Sequence, residues 1–242
     1  MKTPKFKRKK RINPIDKSID SKLKNVGRYI NIFTIIIGLL SLPFNKYADY
    51  FLVILFLIPI ACIIITKIYN NIFDFGTTES GNAIFLYPLL ISLIFSLIRC
   101  MAIHTLESRN ILFATIIFTL LIVFLIVFKN DDFFKNGKLS WISIAIQCLF
   151  PLMFSYSLSV NLNYTLDFSE PQTYLSKVLL KSESHGKHVN YYFDIKTIDN
   201  QILYNDLRVN QNLFKITNKN DTVTLKIYKG LLNAPYYEVV KK

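Results

Sequence analysis

The chain has 242 residues and a formal net charge of +13, with 52% of its residues hydrophobic and 14% aromatic. That apolar content excludes a disordered chain, and three scattered cysteines exclude a disulfide framework. Mean hydropathy is +0.33 despite the charge, so apolar and basic residues must be segregated along the sequence.

Residues 1–28 carry eleven Lys or Arg against two Asp, a net of +9. The densest part is Lys5, Lys7, Arg8, Lys9, Lys10 and Arg11. Clustered cations bind nucleic-acid phosphates, but a basic run just ahead of an apolar segment sets membrane topology and attracts anionic headgroups. The second reading is adopted, with the tail on the cytoplasmic side and nucleic acid not expected as a partner. No small-residue cleavage pattern follows the first apolar run, which is expected to act as an uncleaved signal anchor.

Five apolar runs come next, at about 28–44, 50–66, 83–103, 111–128 and 141–160. Each fits the roughly 17–25 residues of a transmembrane helix, and unpaired peptide groups in lipid make helices the economical form. The expected fold is therefore an α-helical membrane bundle of five transmembrane helices, residues 29–160, followed by a C-terminal domain at 161–242. Five crossings put the joints 67–82 and 129–140 with the tail, giving fifteen basic residues inside against two outside. The C-terminal domain then faces the periplasm of a bacterial inner membrane. The inside joints also hold Asp74, Glu79, Asp131 and Asp132, acids whose spacing demands no site.

Within the runs, three stripes recur at helical spacing. Pro88, Ser92, Ser96 and Arg99 share one face of the third, Thr115 and Thr119 of the fourth, and Ser143, Gln147, Pro151 and Ser155 of the fifth. Small and hydroxyl residues commonly line helix–helix contacts in membranes, so these three helices are expected to meet along a polar seam with Arg99 level with Ser155. The Arg99 guanidinium is close enough to the outer interface to snorkel there. Pro59 and Pro151 bend their helices, and the stripes leave room for a homo-oligomer.

After residue 160 the composition turns polar, with eleven basic and eight acidic residues. Residues 161–171 read as a linker. Strands are expected at 174–181, 188–197, 202–209, 222–229 and 236–240, with 210–216 a short helix or loop. The first looks apolar on both faces. Five short antiparallel strands make a small all-β barrel or sandwich. Tyr192, Tyr228, Tyr236 and Tyr237 are candidates for an aromatic surface that takes a protein partner or small ligand.

The ending Asn220-Asp221-Thr222-Val223-Thr224-Leu225, then Lys229-Gly230-Leu231-Leu232-Asn233-Ala234-Pro235-Tyr236-Tyr237, resembles the tail of uncharacterised multi-span bacterial membrane proteins with a small C-terminal β domain. The resemblance covers fewer than 20 residues, with Asn where those tails have Gly and Tyr236 where they have Trp, and it implies architecture without an activity.

Cys62, Cys100 and Cys148 sit in apolar runs, His185 and His188 flank a turn at Gly186, and no zinc-type spacing is present. No nucleophile elbow, phosphate loop or metalloprotease motif occurs, so no catalytic residue, metal or cofactor is assigned. The sequence points to a non-enzymatic membrane protein whose β domain binds or senses a partner, as an accessory subunit or a toxin-immunity protein. The alternative is a permeabilising or channel-like effector gated by ligand at that domain.

Overall fold

The computed structural model describes residues 14–68, 86–127, 141–184, 189–199 and 201–241. The basic tail at Lys5–Arg11, the acids Asp74, Glu79, Asp131 and Asp132, and His185 and His188 lie outside them. Two compact units result, one ending at Phe95 and one running from Ser96 to Lys242.

In the first unit, α1 (Pro14–Leu40) and α2 (Lys46–Ile68) pack on each other. Asn45 starts α2 by accepting the Ala48 N–H on its side-chain oxygen at 2.9 Å, which satisfies one orphan donor of the first turn. Asp49 adds a negative charge where the helix dipole is positive. At the end of α1, the Ser41 hydroxyl donates to the Gly38 carbonyl at 2.7 Å as the helix unwinds. Gly38 also lets the ring of Phe95, on α3 (Leu86–Cys100), lie against α1, since a Cβ there would stand 2.3 Å from that ring.

The five-span bundle expected from the apolar runs is not what forms. Among the described residues α2 alone, over Lys46–Ile65, is long and apolar enough to cross a bilayer. Two of the runs outlast their helices: the first helix ends at Leu40, and the third stops at Cys100 in a turn, with 15 helical residues among those described. Fifteen residues rise about 22 Å, short of the roughly 30 Å of hydrocarbon. In α4 (Arg109–Val127) the apolar stretch whose side chains are described is Arg109–Leu125.

α5 (Trp141–Thr165) errs the other way. It runs beyond the expected boundary at residue 160, so the first part of the expected linker is helix, with Asn161 and Asn163 fully buried. α4 packs along α5, and Cys100, Ile111, Val160 and Ala234 form a small apolar cluster where α3, α4 and α5 end.

The rest of the second unit is one antiparallel sheet in the order β3-β2-β1-β4-β5, from β1 (Gln172–Ser184), β2 (Asn190–Thr197), β3 (Leu203–Val209), β4 (Thr222–Tyr228) and β5 (Tyr236–Lys241). These ranges match the expected strands closely because alternation is a local signal. Val178, Phe193, Ile195, Val223 and Leu225 point inward and α6 (Gln211–Ile216) adds Leu213 and Phe214. Asn210 caps that helix by accepting the Leu213 N–H at 2.7 Å. Lys181 closes its other end, donating to the carbonyls of Phe214 and Thr217 while its ammonium lies 4.2 Å from the Phe214 ring centroid.

Two bulges curl the sheet, one in β1 between Val178 and Leu180 and one in β3 opposite Phe193 and Ile195. In the second, Asp206 takes a φ of 54° and its N–H finds the Asp194 carboxylate at 2.9 Å. The curl brings β3 toward β5, where the Arg208 N–H donates to the Tyr237 hydroxyl at 2.7 Å. A side chain joins the two edges and no ladder does, so the domain is neither the closed barrel nor the two-layer sandwich expected. β1 is also one-sided, with Val178 buried and Leu175 and Leu180 exposed.

Phe193 is wholly buried against Phe214 at a centroid distance of 5.7 Å. Phe193→Ala should cost the domain about 3–5 kcal/mol. Hydrogen exchange on the intact chain would show it as faster exchange at the β1 and β4 amides, with α4 unaffected.

Candidate functional site

The feature that organises the second unit is the end of α5. A helix terminus leaves carbonyls without partners, and an irregular loop leaves N–H and C=O groups in the same condition. Here each supplies the other. The Asn163 carbonyl accepts the Leu231 N–H at 3.1 Å. Its side-chain oxygen accepts the Leu232 N–H at 2.9 Å, and its amide nitrogen donates to the Ala234 carbonyl at 2.8 Å. One asparagine thus holds three successive points of the β4–β5 loop.

Neighbouring groups complete the clamp. Asp167 accepts the Gly230 N–H at 2.9 Å and the Ser169 N–H at 3.0 Å. Asn110, in the first turn of α4, donates to the Asn233 carbonyl at 2.8 Å. The segment between α3 and α4 pairs with the other side: the Leu106 N–H donates to the Pro235 carbonyl at 2.7 Å, and the Tyr237 N–H to the His104 carbonyl at 3.1 Å. Gly230 is required twice over, by its φ of 76° and because a Cβ would lie 2.5 Å from both the Ala234 carbonyl and the Asn163 side chain.

The electrostatics follow from the same contacts. Burial pulls the Asp167 carboxyl up, but hydrogen bonds from Ser169, Gly230 and the Tyr236 hydroxyl outweigh it, leaving the group below its ordinary value. Tyr236 is pushed strongly up, first by burial and then by the Asp167 charge it faces. Its ring stacks on Tyr228 at 4.8 Å and tilts against Tyr164 at 5.1 Å. Burial raises Tyr237 to about 12, with Arg208 opposing the shift. His104 is lowered by burial and by the Arg208 charge.

The expected polar seam is partly assembled. The Thr115 hydroxyl meets the Ser159 hydroxyl at 3.3 Å between α4 and α5, while Thr119 donates to the Thr115 carbonyl of its own helix at 2.7 Å. Between α3 and α5, the Asn161 amide donates to the Ser96 carbonyl at 3.1 Å and to the Ser157 carbonyl at 2.8 Å. Ser96 therefore stands level with Asn161, and Arg99, three residues further along α3, lies beyond the level of Ser155 expected for it.

Arg99 is 1% exposed, so its guanidinium is packed inside the unit and does not snorkel. Ser92 is buried but belongs to the first unit. Ser143 and Gln147 fall on α5, and their side chains lie outside the described set. The Ser155 hydroxyl and the Asn161 side-chain oxygen are buried without a hydrogen-bond partner among the described residues.

Of the aromatic candidates, Tyr236 is buried in the clamp, Tyr228 is stacked on it and Tyr237 ties β5 to β3. Tyr236 is thereby withdrawn from the surface, while Tyr228 and Tyr237 are half-buried. Tyr192 stays half-buried on the outer face, between Ser182 and Arg208. Sequence reasoning missed Asn161, Asn163, Asp167 and His104. The signal was present, since the stripe from Ser143 through Ser155 continues at the same interval through Ser159, Asn163 and Asp167. It was cut at residue 160, where hydropathy falls.

The hydroxyls of Thr115, Thr119 and Ser159 donate to carbonyls of their own helices, an arrangement that packs helices. Among the described residues no group of three or more His, Cys, Asp or Glu could hold a metal. No family model, curated protein or solved structure matches the chain.

Asn163→Ala leaves the Leu232 N–H and the Ala234 carbonyl without partners, at about 1–3 kcal/mol for each buried group. Gly230→Ala should be at least as harmful, because strain and overlap coincide there. Both would register as faster exchange at Leu231–Tyr237 with the β2 amides protected.

Acid should open the clamp in two steps. His104, with a folded value below its ordinary 6.5, favours the folded state fully above that pH and less as pH falls through its lowered value. Asp167, also depressed, holds the loop above 3.8 and releases it as pH falls through its own lowered value. Near-ultraviolet tyrosine dichroism would follow both, with Asp167→Asn removing the lower step and His104→Gln the upper one.

Proposed function

We propose that this chain is a non-enzymatic membrane protein whose β domain, clamped to the ends of apolar helices, binds a protein partner or small ligand outside the hydrocarbon. The observation that carries the membrane part is the inverted polarity of α4 and α5. Thr115, Ser155, Ser159 and Asn161 are buried, while Leu112, Phe113, Ile116, Leu120 and Phe124 are exposed. Each such apolar side chain left in water forfeits about 1.5–3 kcal/mol, so this surface favours a hydrocarbon solvent. α2 is the segment proposed to cross.

The side on which the domain lies no longer follows from counting crossings, because that parity rested on five spans. The binding part of the reading is supported by the sheet's outer face, where Tyr192 sits beside Arg208, with Leu180 exposed on the adjoining strand. Aromatic and Arg side chains with apolar neighbours are the usual anchors of recognition. Toxin immunity and service as an accessory subunit both use such a face.

A photo-reactive phenylalanine analogue placed at Tyr192 in cells is expected to give one discrete crosslinked adduct. The same probe at Leu120 should capture lipid alone. Absence of any adduct at 192, with the chain present at normal level in the membrane fraction, would reject the binding role.

A further inference from the structure

We infer that the helix-facing end of the β domain rests on the bilayer surface and inserts apolar side chains into its interface. The inference rests on the membrane reading above and names the lipid surface as a second partner of the sheet.

Strand pairing fixes which loops share that end. Thr197 lies opposite Ser176, Leu203 opposite Lys196, Gln172 opposite Ile227, and Tyr228 opposite Tyr236. Residues 166–171, residues 198, 199, 201 and 202 between β2 and β3, and the β4–β5 loop at 229–235 therefore emerge together. The last of these is the loop that Asn163 of α5 holds through Leu231, Leu232 and Ala234. This end of the sheet thus faces the helices, and α6, with Ser184 and Asn190 paired at the ends of β1 and β2, marks the other end.

Exposed apolar residues gather at the helix-facing end. Among the described residues from Leu166 onward nine large hydrophobics are exposed, and six of them lie here: Phe168, Leu175, Ile198, Ile202, Leu203 and Leu231. Phe168 is 89% exposed and Leu203 51%. Scattered singly, such residues need no explanation, but a ring of them at one end of a small domain marks a contact surface.

Lipid is the occupant that the surroundings select. The ring adjoins the first turn of α4, where Asn110 is bonded to Asn233 and from which the exposed apolar flank of Leu112, Phe113 and Ile116 descends. The Asn110–Asn233 bond sets the loop that carries Leu231 beside the head of that flank, so a bilayer that covers the flank reaches this end of the sheet. Charges at this level are mixed, with Lys229 and Arg109 against Glu170, Asp199 and Glu107, all exposed. Insertion should therefore be driven by apolar contact and need no anionic lipid.

The test uses the full chain in phosphatidylcholine vesicles whose acyl chains carry bromine near the headgroup, with Trp141→Phe to remove the one native tryptophan. Three single reporters are compared: Ile202→Trp at the ring, Ile216→Trp at the far end, and Leu120→Trp on α4. Quenching at 202 and 120 without quenching at 216 is the expected result. Quenching at 120 alone would overturn this inference and leave the membrane reading standing, including the case in which the 202 reporter is blue-shifted but unquenched because a second copy covers it. Equal quenching at 202 and 216 would overturn it by showing a domain lying on its side. No quenching at 120 would remove the membrane reading and this inference together.

Discussion

The position of the β domain in the second unit depends on one side chain amide. Asn163 presents a donor and an acceptor in the geometry of a strand edge, so a helix end can pair with a loop as if both were backbone. Such an arrangement tolerates few substitutes. Asp lacks the donor, Gln is a methylene too long, and Ser reaches one group only. The glycine opposite is equally constrained, since the approach that makes the bonds leaves no room for a Cβ at 230.

The local parts of this structure were legible in the sequence and the relational parts were not. Alternation located Phe193, Ile195, Val223 and Leu225 on the inner face of their strands because a period of two is a local property of an unbulged strand. Hydropathy could not locate helix ends. The run through Leu42 and Phe44 stays apolar after α1 has stopped, and the run through Ile103 stays apolar after α3 has stopped. What ends those helices is a Ser41 back-bond and a turn at Met101, neither of which lowers a hydropathy average. The same averaging hid the last turns of α5, where asparagines inside a helix were read as a linker.

The tyrosines show why exposure is hard to infer from one strand. Tyr236 and Tyr237 are neighbours, and alternation says only that they face opposite ways. In the structure both are taken, one by Asp167 and the stacked Tyr228, the other by the backbone of Arg208. A curled sheet has two occupied faces near its seam, since the outer face of one edge is close to the other edge. Tyr192, farther from the seam, remains half-exposed on the outer side.

The stripe on α5 ties these observations together. Ser155, Ser159 and Asn163 follow one another at intervals of four, with Asp167 just past the helix end, so contacts between helices and contacts with the sheet lie along one face. A rotation of α5 by one residue, about 100°, would carry Ser159 away from Thr115 and Asn163 away from the loop in the same movement. Each paired group such a rotation exposed would cost about 1–3 kcal/mol on either side of the junction. Helix packing and sheet docking thus draw on one helix face, and the orientation of α5 that satisfies the first also satisfies the second.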